Sequence, residues 1–155
     1  TNDAASAVTR LIDMGIEPFL VTSSVIAIVA QRLVRVLCPK CKEAYTPDDE
    51  SLANLGIDKK KLDRHPLYRR QGCAACMNTG YRGRTAIFEI LILDDPLKRL
   101  ILKTSDANQI QDEAMKRGMT NLLVDGARKV LEGTTTIEEV FRVTRILKRE
   151  NDLDT

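Results

Sequence analysis

The sequence has no tryptophan and contains only three tyrosines, three phenylalanines and one histidine, His65. So few aromatic rings argue against a platform on which the bases of single-stranded nucleic acid could stack. The net positive charge is small too, because the 24 Lys and Arg are nearly balanced by 22 Asp and Glu, which leaves a formal net charge of +2. A dedicated nucleic-acid binder needs a concentrated basic surface, so we predict no nucleic-acid partner.

Long apolar runs are also missing. The longest covers residues 25–30, whereas a membrane-spanning helix needs roughly 20 apolar residues. No basic start followed by an apolar stretch suggests a signal peptide. The chain opens on Thr1 rather than on methionine, so we expect a fragment of a larger protein. With 43% hydrophobic and 30% charged residues, the 155-residue chain has the composition of a globular protein.

The common catalytic motifs are absent from the sequence. It has no Gly-x-x-x-x-Gly-Lys-Ser/Thr phosphate loop, no Gly-x-Gly-x-x-Gly and no Gly-x-Ser-x-Gly elbow. A single histidine leaves no obvious pairing of nucleophile and base. The residues alone therefore predict a module without chemistry of its own.

Four cysteines form two Cys-x-x-Cys pairs, Cys38 with Cys41 and Cys73 with Cys76. Each two-residue knuckle can direct two thiolates at one ion, and four sulfurs about 2.3 Å from Zn²⁺ complete a closed tetrahedral site. We predict a structural Zn²⁺ on these four residues. His65 is not needed as a ligand and is expected in a surface loop.

Other uses of the cysteines fit less well. A secreted disulfide framework would need a signal peptide and a shorter chain. A redox Cys-x-x-Cys would need only one pair. Four thiolates could also hold an iron–sulfur cluster, although its usual spacings differ. A catalytic zinc would keep one position open for substrate.

The first part of the chain is predicted to hold two helices and a strand. Residues 3–14 have apolar side chains at helical spacing, and residues 25–33 are apolar nearly all round, which is typical of a buried helix. The candidate caps are Asn2 or Asp3 for the first helix and Ser23 or Ser24 for the second. A strand at 33–37 then enters the first cysteine pair.

The rest of the sequence predicts an α+β fold. A glycine-punctuated turn is expected at 79–84 and a second strand at 85–93. Helices are expected over 47–56, 96–103, 106–118 and 120–132 and from Thr136, where Thr136 and Glu139 have the spacing of a capping box. The segment between the cysteine pairs should have a thin core of Leu52, Leu55, Ile57, Leu62, Leu67 and Tyr68.

Several segments together resemble one family. Residues 1–15 are similar to the stretch that follows the histidine box of bacterial secretion ATPases. Gln-Arg-Leu-Val-Arg at 31–35 and Gly-Tyr-Arg-Gly-Arg-Thr at 80–85 flank the cysteines as in the tetracysteine motif of that family, and residues 125–140 match its ending. The chain thus resembles the type II secretion and type IV pilus assembly traffic ATPases over nearly its whole length, and its ending favours the type II member.

The resemblance implies the C-terminal part of a RecA-like α/β core, a zinc-binding insertion and a helical bundle. The implied boundaries are 1–37 for the end of the core, 38–76 for the insertion, 77–93 for the returning strand and 94–155 for the helical subdomain. The family's Walker A, Walker B and histidine boxes precede the matched region. The fragment is therefore expected not to be an enzyme, and ATP with Mg²⁺ would bind only the full-length parent.

The resemblance also implies a function for the parent protein. Members of the family act as hexamers at the cytoplasmic face of the bacterial inner membrane and couple ATP hydrolysis to a membrane platform protein. The expected function is type II secretion through pseudopilus assembly, with the platform protein and other cytoplasmic-domain proteins of the machine as partners. The alternatives are a type IV pilus extension ATPase, a zinc-stapled protein-binding module and an unrelated zinc-ribbon nucleic-acid binder.

Arg82 and Arg84 flank a glycine just before the second strand. They are either surface cations of a solvated turn or, as we hypothesise for Arg84, neighbours of the nucleotide in the intact ATPase.

A basic segment, residues 58–70, holds six Lys or Arg and two Asp, so its local charge of +4 exceeds the net charge of the whole chain. Such a run is either a solvated face or a docking surface for an acidic partner or anionic lipid.

Overall fold

A computed structural model describes residues 2–151, and the side chains of residues 2–144. The helices are α1 (Ala4–Asp13), α2 (Pro18–Ser24), α3 (Asp49–Leu55), α4 (Asp95–Ile101), α5 (Ala107–Lys116), α6 (Leu122–Leu131) and α7 (Ile137–Asn151). The strands are β1 (Ala27–Leu37), β2 (Glu43–Tyr45), β3 (Leu67–Arg69) and β4 (Tyr81–Ile92). The predicted α+β class is confirmed. Among the described helices, none is long and apolar enough to cross a membrane.

The strands form two antiparallel pairs. β1 pairs with β4, and their opposite ends are held by bonds from Leu93 N to Ile26 O and from Cys38 N to Gly80 O, each 2.9 Å. The short strands β2 and β3 pair from Glu43↔Arg69 to Tyr45↔Leu67. β1 and β4 thus pair across the whole cysteine region, whereas β2 and β3 join the two ends of the segment that lies between the cysteine pairs.

The predicted helix over residues 25–33 is wrong, because this segment is the first part of β1. The helix comes earlier, with Pro18 at its first position, and it ends at Ser24 instead of starting there. Valine and isoleucine are stiff at χ1 and favour strands once a partner strand is present. The segment also alternates between exposed and half-buried side chains, so it is not buried all round.

The chain divides into two compact units. The first comprises residues 1–31 and 88–122. Its core gathers α1, α4, α5 and one face of the paired strands, with the buried residues Ala4, Ala5, Val8, Val21, Leu91, Leu93, Leu97, Ile101, Ile110 and Ala114. Asp3 caps α1 as predicted, accepting from Ser6 N at 2.7 Å. The buried Glu89 accepts from Ala4 N at 2.9 Å, which ties β4 to the start of the same helix.

One strand face of this first unit remains open. Val29, Phe88, Ile90 and Ile92 are all exposed, with Ile92 at 64%. They alternate along β1 and β4 with side chains that face the core. The strands are therefore apolar on both faces, although only one face is packed within the unit.

The second unit comprises residues 32–87 and 123–155. The core predicted for the segment between the cysteines is present except for Tyr68, which lies outside the cluster with its ring against Lys42. The core is not thin, because it packs on α6 and α7. Its buried members are Leu52, Leu55, Ile57, Leu67, Ala127, Val130, Ile137 and Val140, with Leu62 partly buried against them. Gly126 permits this packing, since a Cβ there would overlap the Val140 side chain. The predicted helix at 47–56 is confirmed as α3, with Asp48 as its cap and Gly56 in the left-handed region.

The four C-terminal helices divide between the units, α4 and α5 in the first and α6 and α7 in the second. A single helical bundle over residues 94–155 is therefore not confirmed, and neither is the RecA-like core. The four domain boundaries drawn from the sequence stay predictions.

Candidate metal centre

Each cysteine pair lies on a tight backbone knuckle. In the first, Cys38 directly follows β1, and the amides of Cys41 and Lys42 donate to Cys38 O at 3.3 and 3.0 Å. In the second, Cys73 precedes a 3₁₀ turn over Ala74–Cys76, and Cys76 N donates to Cys73 O at 3.2 Å. Each of the two knuckles is thus a tight turn that carries two thiols.

The four cysteine sulfurs cluster around one point in the structure. Cys38 Sγ lies 3.9 Å from Cys73 Sγ, and Cys76 Sγ lies 3.8 Å from both Cys41 Sγ and Cys73 Sγ. All four ligand atoms lie within 4.8 Å of one another. Four sulfurs each about 2.3 Å from one ion would be ~3.8 Å apart in a regular tetrahedron. The separations therefore fit a tetrahedral metal ion and are far longer than the roughly 2.05 Å of a disulfide bond.

Backbone amides surround the sulfurs. Gly72 N donates to Cys41 Sγ at 3.4 Å, and Cys76 Sγ accepts from Cys73 N at 3.3 Å and Gly80 N at 3.2 Å. Such donors favour the thiolate over the thiol. They prepare the site for a cation, because metals bind the deprotonated sulfur.

The pKa values of two thiols are shifted in opposite directions. Burial raises the pKa of Cys76, but the amides of Cys73 and Gly80 outweigh it and bring the pKa to about 6. At Cys41 the Gly72 amide lowers the pKa, yet burial and the neighbouring thiols prevail and raise it to about 11. At Cys41, burial and the hydrogen bonds among the clustered thiols thus oppose the thiolate form. A bound metal ion would favour that form, because its positive charge attracts every thiolate.

Two glycines at the knuckles are required by geometry. Gly80 has φ +78°, and a Cβ there would collide with the Arg70 side chain. Gly72 has φ +120°, and a Cβ there would lie 2.9 Å from Asn78 O. Any other residue at either position would displace the backbone that donates to the sulfurs.

His65 is exposed in the loop before β3, as predicted. Among the described residues, the cluster that could hold a metal ion consists of the four cysteines alone. Four sulfurs around one ion would complete a tetrahedron, as they do in structural metal centres.

Next to the metal centre, Tyr81 follows Gly80 and connects it to α7. The Tyr81 hydroxyl lies 2.9 Å from Thr136 Oγ1, and the Arg35 guanidinium lies 4.2 Å from the centre of the Tyr81 ring. Thr136 in turn accepts from Glu139 N at 3.2 Å. The start of α7 is thus held by residues that adjoin both cysteine pairs.

Only half of the predicted capping box forms. The Glu139 carboxylate turns away from the Thr136 amide and accepts from Arg35 through N (2.8 Å), Nε (3.0 Å) and Nη2 (2.7 Å). Arg142 adds Nε at 3.1 Å and Nη2 at 2.9 Å. The Glu139 side chain is 2% exposed. Burial raises its pKa, but the hydrogen bonds from Arg142 and Arg35 prevail and lower the pKa to about 2.

Arg84 lies in β4 and not in a turn, since this strand already begins at Tyr81. Gly83 beside it has φ +80°, so the strand is distorted there. The exposed Arg84 lines an open depression of about 400 Å³ together with Leu33, Arg35 and Arg142. The structure thus groups Arg84 with two further arginines that the sequence did not single out.

The cysteine cluster and its surroundings define a class: an α+β protein with four clustered cysteines that could hold a metal ion. Comparison with known proteins then identifies the family, since residues 1–142 match the sequence model of the Type II/IV secretion system protein family. The chain belongs to this family, which confirms the resemblance.

Individual relatives come from both branches of the family. The chain is 50% identical to type II secretion system protein E of Pseudomonas aeruginosa and 48% identical to type II secretion system ATPase E of Vibrio cholerae, with 94% of this chain and 28% of each relative covered. It is 44% identical to the type IV pilus assembly ATPase PilB of Thermus thermophilus, with 93% of this chain and 16% of the relative covered. The chain thus spans less than a third of the length of these curated relatives.

Proposed function

We propose that the chain is the C-terminal, zinc-binding portion of a hexameric ATPase that powers type II protein secretion at the bacterial inner membrane. The observation that carries the proposal is the tetrahedral set of four cysteine sulfurs within a chain 50% identical to a type II secretion system protein E. In the whole protein, ATP hydrolysis would drive pseudopilus assembly through the membrane platform protein and the cytoplasmic-domain proteins of the machine. The protein would be cytoplasmic and peripheral to the inner membrane.

A type IV pilus assembly ATPase is the second candidate. The identity to the Thermus thermophilus PilB is 44%, and to the PilB of Myxococcus xanthus 45%. These values are only slightly below those for the type II relatives, so the two candidates share the same site and differ in the fibre that they assemble.

The open strand face of the first unit supports a larger core. Val29, Phe88, Ile90 and Ile92 are exposed side by side on adjacent strands, and strands with two apolar faces usually lie inside a layered domain. In the proposed parent, the remaining length of the protein covers this face, and β1 and β4 belong to its RecA-like core.

The metal in the proposed parent is Zn²⁺, and its role is structural. Cys38, Cys41, Cys73 and Cys76 would hold it, because four thiolates fill a tetrahedron and leave no position for substrate or water. Zinc bound there supplies no chemistry to the ATPase reaction. The four cysteines would hold together the end of β1 and the start of β4 and thereby position Arg35 and Arg84, which lie in these strands.

The ATPase proposal is tested by comparing two lengths of the protein. The 155-residue chain is expected to hydrolyse no ATP, because it has no phosphate-binding loop and lacks the metal-binding and water-orienting groups of phosphoryl transfer. The full-length protein is expected to hydrolyse ATP, with Mg²⁺ required. Steady-state phosphate release measures both. Turnover by the purified short chain, or none by the full-length hexamer, would overturn the proposal.

A second prediction concerns Arg84, which we propose to border the nucleotide in the parent. Arg84→Ala in the full-length protein should weaken nucleotide binding by about 10-fold or more, because a charged hydrogen bond contributes roughly 1.5–3 kcal/mol. Arg82→Ala is the matched control, since Arg82 is also exposed in β4 but does not line the depression with Arg35 and Arg142. Fluorescent nucleotide titration measures both. Equal affinities would show that Arg84 is only a surface cation.

A further inference from the structure

The basic segment, residues 58–70, is partly neutralised in the folded chain. Lys59 Nζ pairs with Asp49 at 2.8 Å, and Arg69 Nη2 pairs with Glu43 at 3.0 Å. Arg70 Nη1 donates to a main-chain carbonyl oxygen at 3.2 Å. Half of the six cations are thus already engaged.

The other three are Lys60, Lys61 and Arg64. All are exposed, and within the part of the chain that the structure describes none forms an ion pair. Lys60 and Lys61 belong to a 3₁₀ turn over Lys59–Lys61, whose start is held by Asp58 accepting from Lys60 N at 3.0 Å. This short turn fixes the backbone from which the two lysines project, so they form one positive edge.

An apolar groove adjoins this edge within the second unit. It has a volume of about 490 Å³ and lies between the C-terminal end of α3, the loop that follows it and α6. Its apolar walls include Leu55, Ile57, Leu123, Val124, Ala127 and Leu131, and the charged residues in its lining are Lys61 and Arg128. Arg128 pairs with Asp125 and Glu132, so the unpaired charge at the groove is that of Lys61.

We propose that this groove binds an amphipathic helix of a partner protein that has acidic residues beside its apolar stripe. A groove between helical segments is a surface on which such a helix lays its apolar face. The unpaired cation Lys61 at one edge of the groove selects acid in preference to base, because complementary charge speeds association and penalises the wrong partner. The proposal does not depend on whether the whole protein hydrolyses ATP.

The depth of the apolar side chains favours a helix over a lipid surface. Leu55 and Ile57, at 2% and 6% exposed, lie at the bottom of the groove, and Val124 is the large side chain that projects from it, at 44% exposed. A bilayer surface contacts side chains that project, whereas the side chains of a helix can reach into a concave groove. The anionic lipid considered from the sequence alone is therefore the less suitable occupant.

The experiment uses two synthetic helical peptides as probes. Both have leucine at positions i, i+3, i+4 and i+7, and the flanking positions are glutamate in one and lysine in the other. The zinc-loaded, ¹⁵N-labelled chain is titrated with each at low salt. The glutamate peptide is expected to bind at least 10-fold more tightly, with amide shifts concentrated in residues 53–61 and 123–131, and its affinity should fall as salt rises.

Three variants complete the test. Lys61→Glu should weaken the glutamate peptide about 5-fold or more and tighten the lysine peptide, while Val124→Ser should weaken both. Lys103→Glu, an equal charge change at an exposed residue of the first unit, should alter neither. Thermal melts check that each variant is folded.

Four results would overturn the proposal: no binding of the glutamate peptide, equal affinities for the two peptides, shifts confined to other regions, or insensitivity to Val124→Ser. Phosphatidylglycerol vesicles serve as the lipid probe. Sedimentation with these vesicles that requires Lys61 but not Val124 would assign the edge to lipid headgroups instead.

Discussion

Cys76→Ser is expected to abolish stoichiometric metal binding and to lower the thermal unfolding midpoint of the chain by about 10 °C or more. The native chain should hold one Zn²⁺, and structural zinc supplies folding free energy directly, on the order of 10 kcal/mol in small zinc-dependent domains. Here α6 and α7 also pack on the segment between the cysteines. The loss should therefore be smaller, on the order of 4 kcal/mol, which corresponds to roughly 10 °C for a chain of this size.

Cys76 is the most informative position to change. Its sulfur lies 3.8 Å from two other cysteine sulfurs and accepts two backbone amides, and the residue is 4% exposed. A serine oxygen in its place would be a poor ligand for a site otherwise made of thiolates. The matched control is Ala75→Ser, which adds a hydroxyl to the same knuckle at an exposed residue and keeps all four thiols.

Metal content and stability are measured on the same anaerobic preparations. Elemental analysis should find one zinc per chain in the native protein and in Ala75→Ser, and far less in Cys76→Ser. Chelation should raise amide exchange in residues 38–80 before it does so in α1 and α5, which hold none of the ligands. Substoichiometric metal in the native chain, iron in place of zinc, or an unchanged melting temperature after chelation would contradict the prediction.

The sequence was most informative where the structural signal is local. A Cys-x-x-Cys knuckle needs four consecutive residues, and a helix cap such as Asp3 needs about four, so both could be read directly and both are present. The expectation that one ion binds both pairs predicted that the two knuckles lie together, and they do. The clustering of the four cysteines is therefore the part of the site that sequence reasoning predicted most completely.

Prediction failed where a distant partner decides the local structure. Residues 25–30 form a short apolar run, and such a run is compatible with either a buried helix or a strand. The pairing of β1 with β4, more than 50 residues later in the chain, selects the strand. No pattern within the run contains that information, because the apolar residues of β1 satisfy both periods over so short a length.

The start of α7 illustrates the same limit in a side chain. Thr136 and Glu139 have the capping-box spacing, and the hydroxyl half of the box is present. Arg35, which is 104 residues away in sequence, takes the carboxylate instead. Arg35 offers that carboxylate three hydrogen bonds, two of them from a charged guanidinium, whereas the capping box offers only one backbone amide. The competing partner is invisible in the local sequence.

Glu139→Gln is expected to destabilise the chain by about 2–3 kcal/mol at pH 7. The Glu139 side chain accepts five hydrogen bonds from Arg35 and Arg142. A glutamine has an NH₂ group in place of one carboxylate oxygen, and this group cannot accept the bonds that the oxygen accepted. Removing one partner of a buried ion pair costs roughly 3–5 kcal/mol. The cost should be lower here, because Arg35 and Arg142 are about half exposed and can be rehydrated.

The pH dependence of this destabilisation shows whether Glu139 stabilises the fold through its negative charge or only through its packing. The pKa of Glu139 is lowered from 4.5 to about 2 in the folded chain, so the unfolded chain binds the proton more readily. The stabilisation from the carboxylate is therefore fully present above about pH 5 and is lost as the pH falls toward 2. The free-energy difference between native and Glu139→Gln chains should accordingly shrink by more than half between pH 7 and pH 3.

Urea unfolding of both chains at pH 7, 5 and 3 measures that difference directly, and effects of other carboxylates cancel in it. Glu132→Gln is the control, because Glu132 is half exposed and pairs with Arg128 at the surface, where an ion pair contributes about 0–1 kcal/mol. A Glu139→Gln cost that is equal at all three pH values would show that the side chain acts by packing alone. A cost no larger than that of Glu132→Gln would show that the network between β1 and α7 does not stabilise the fold.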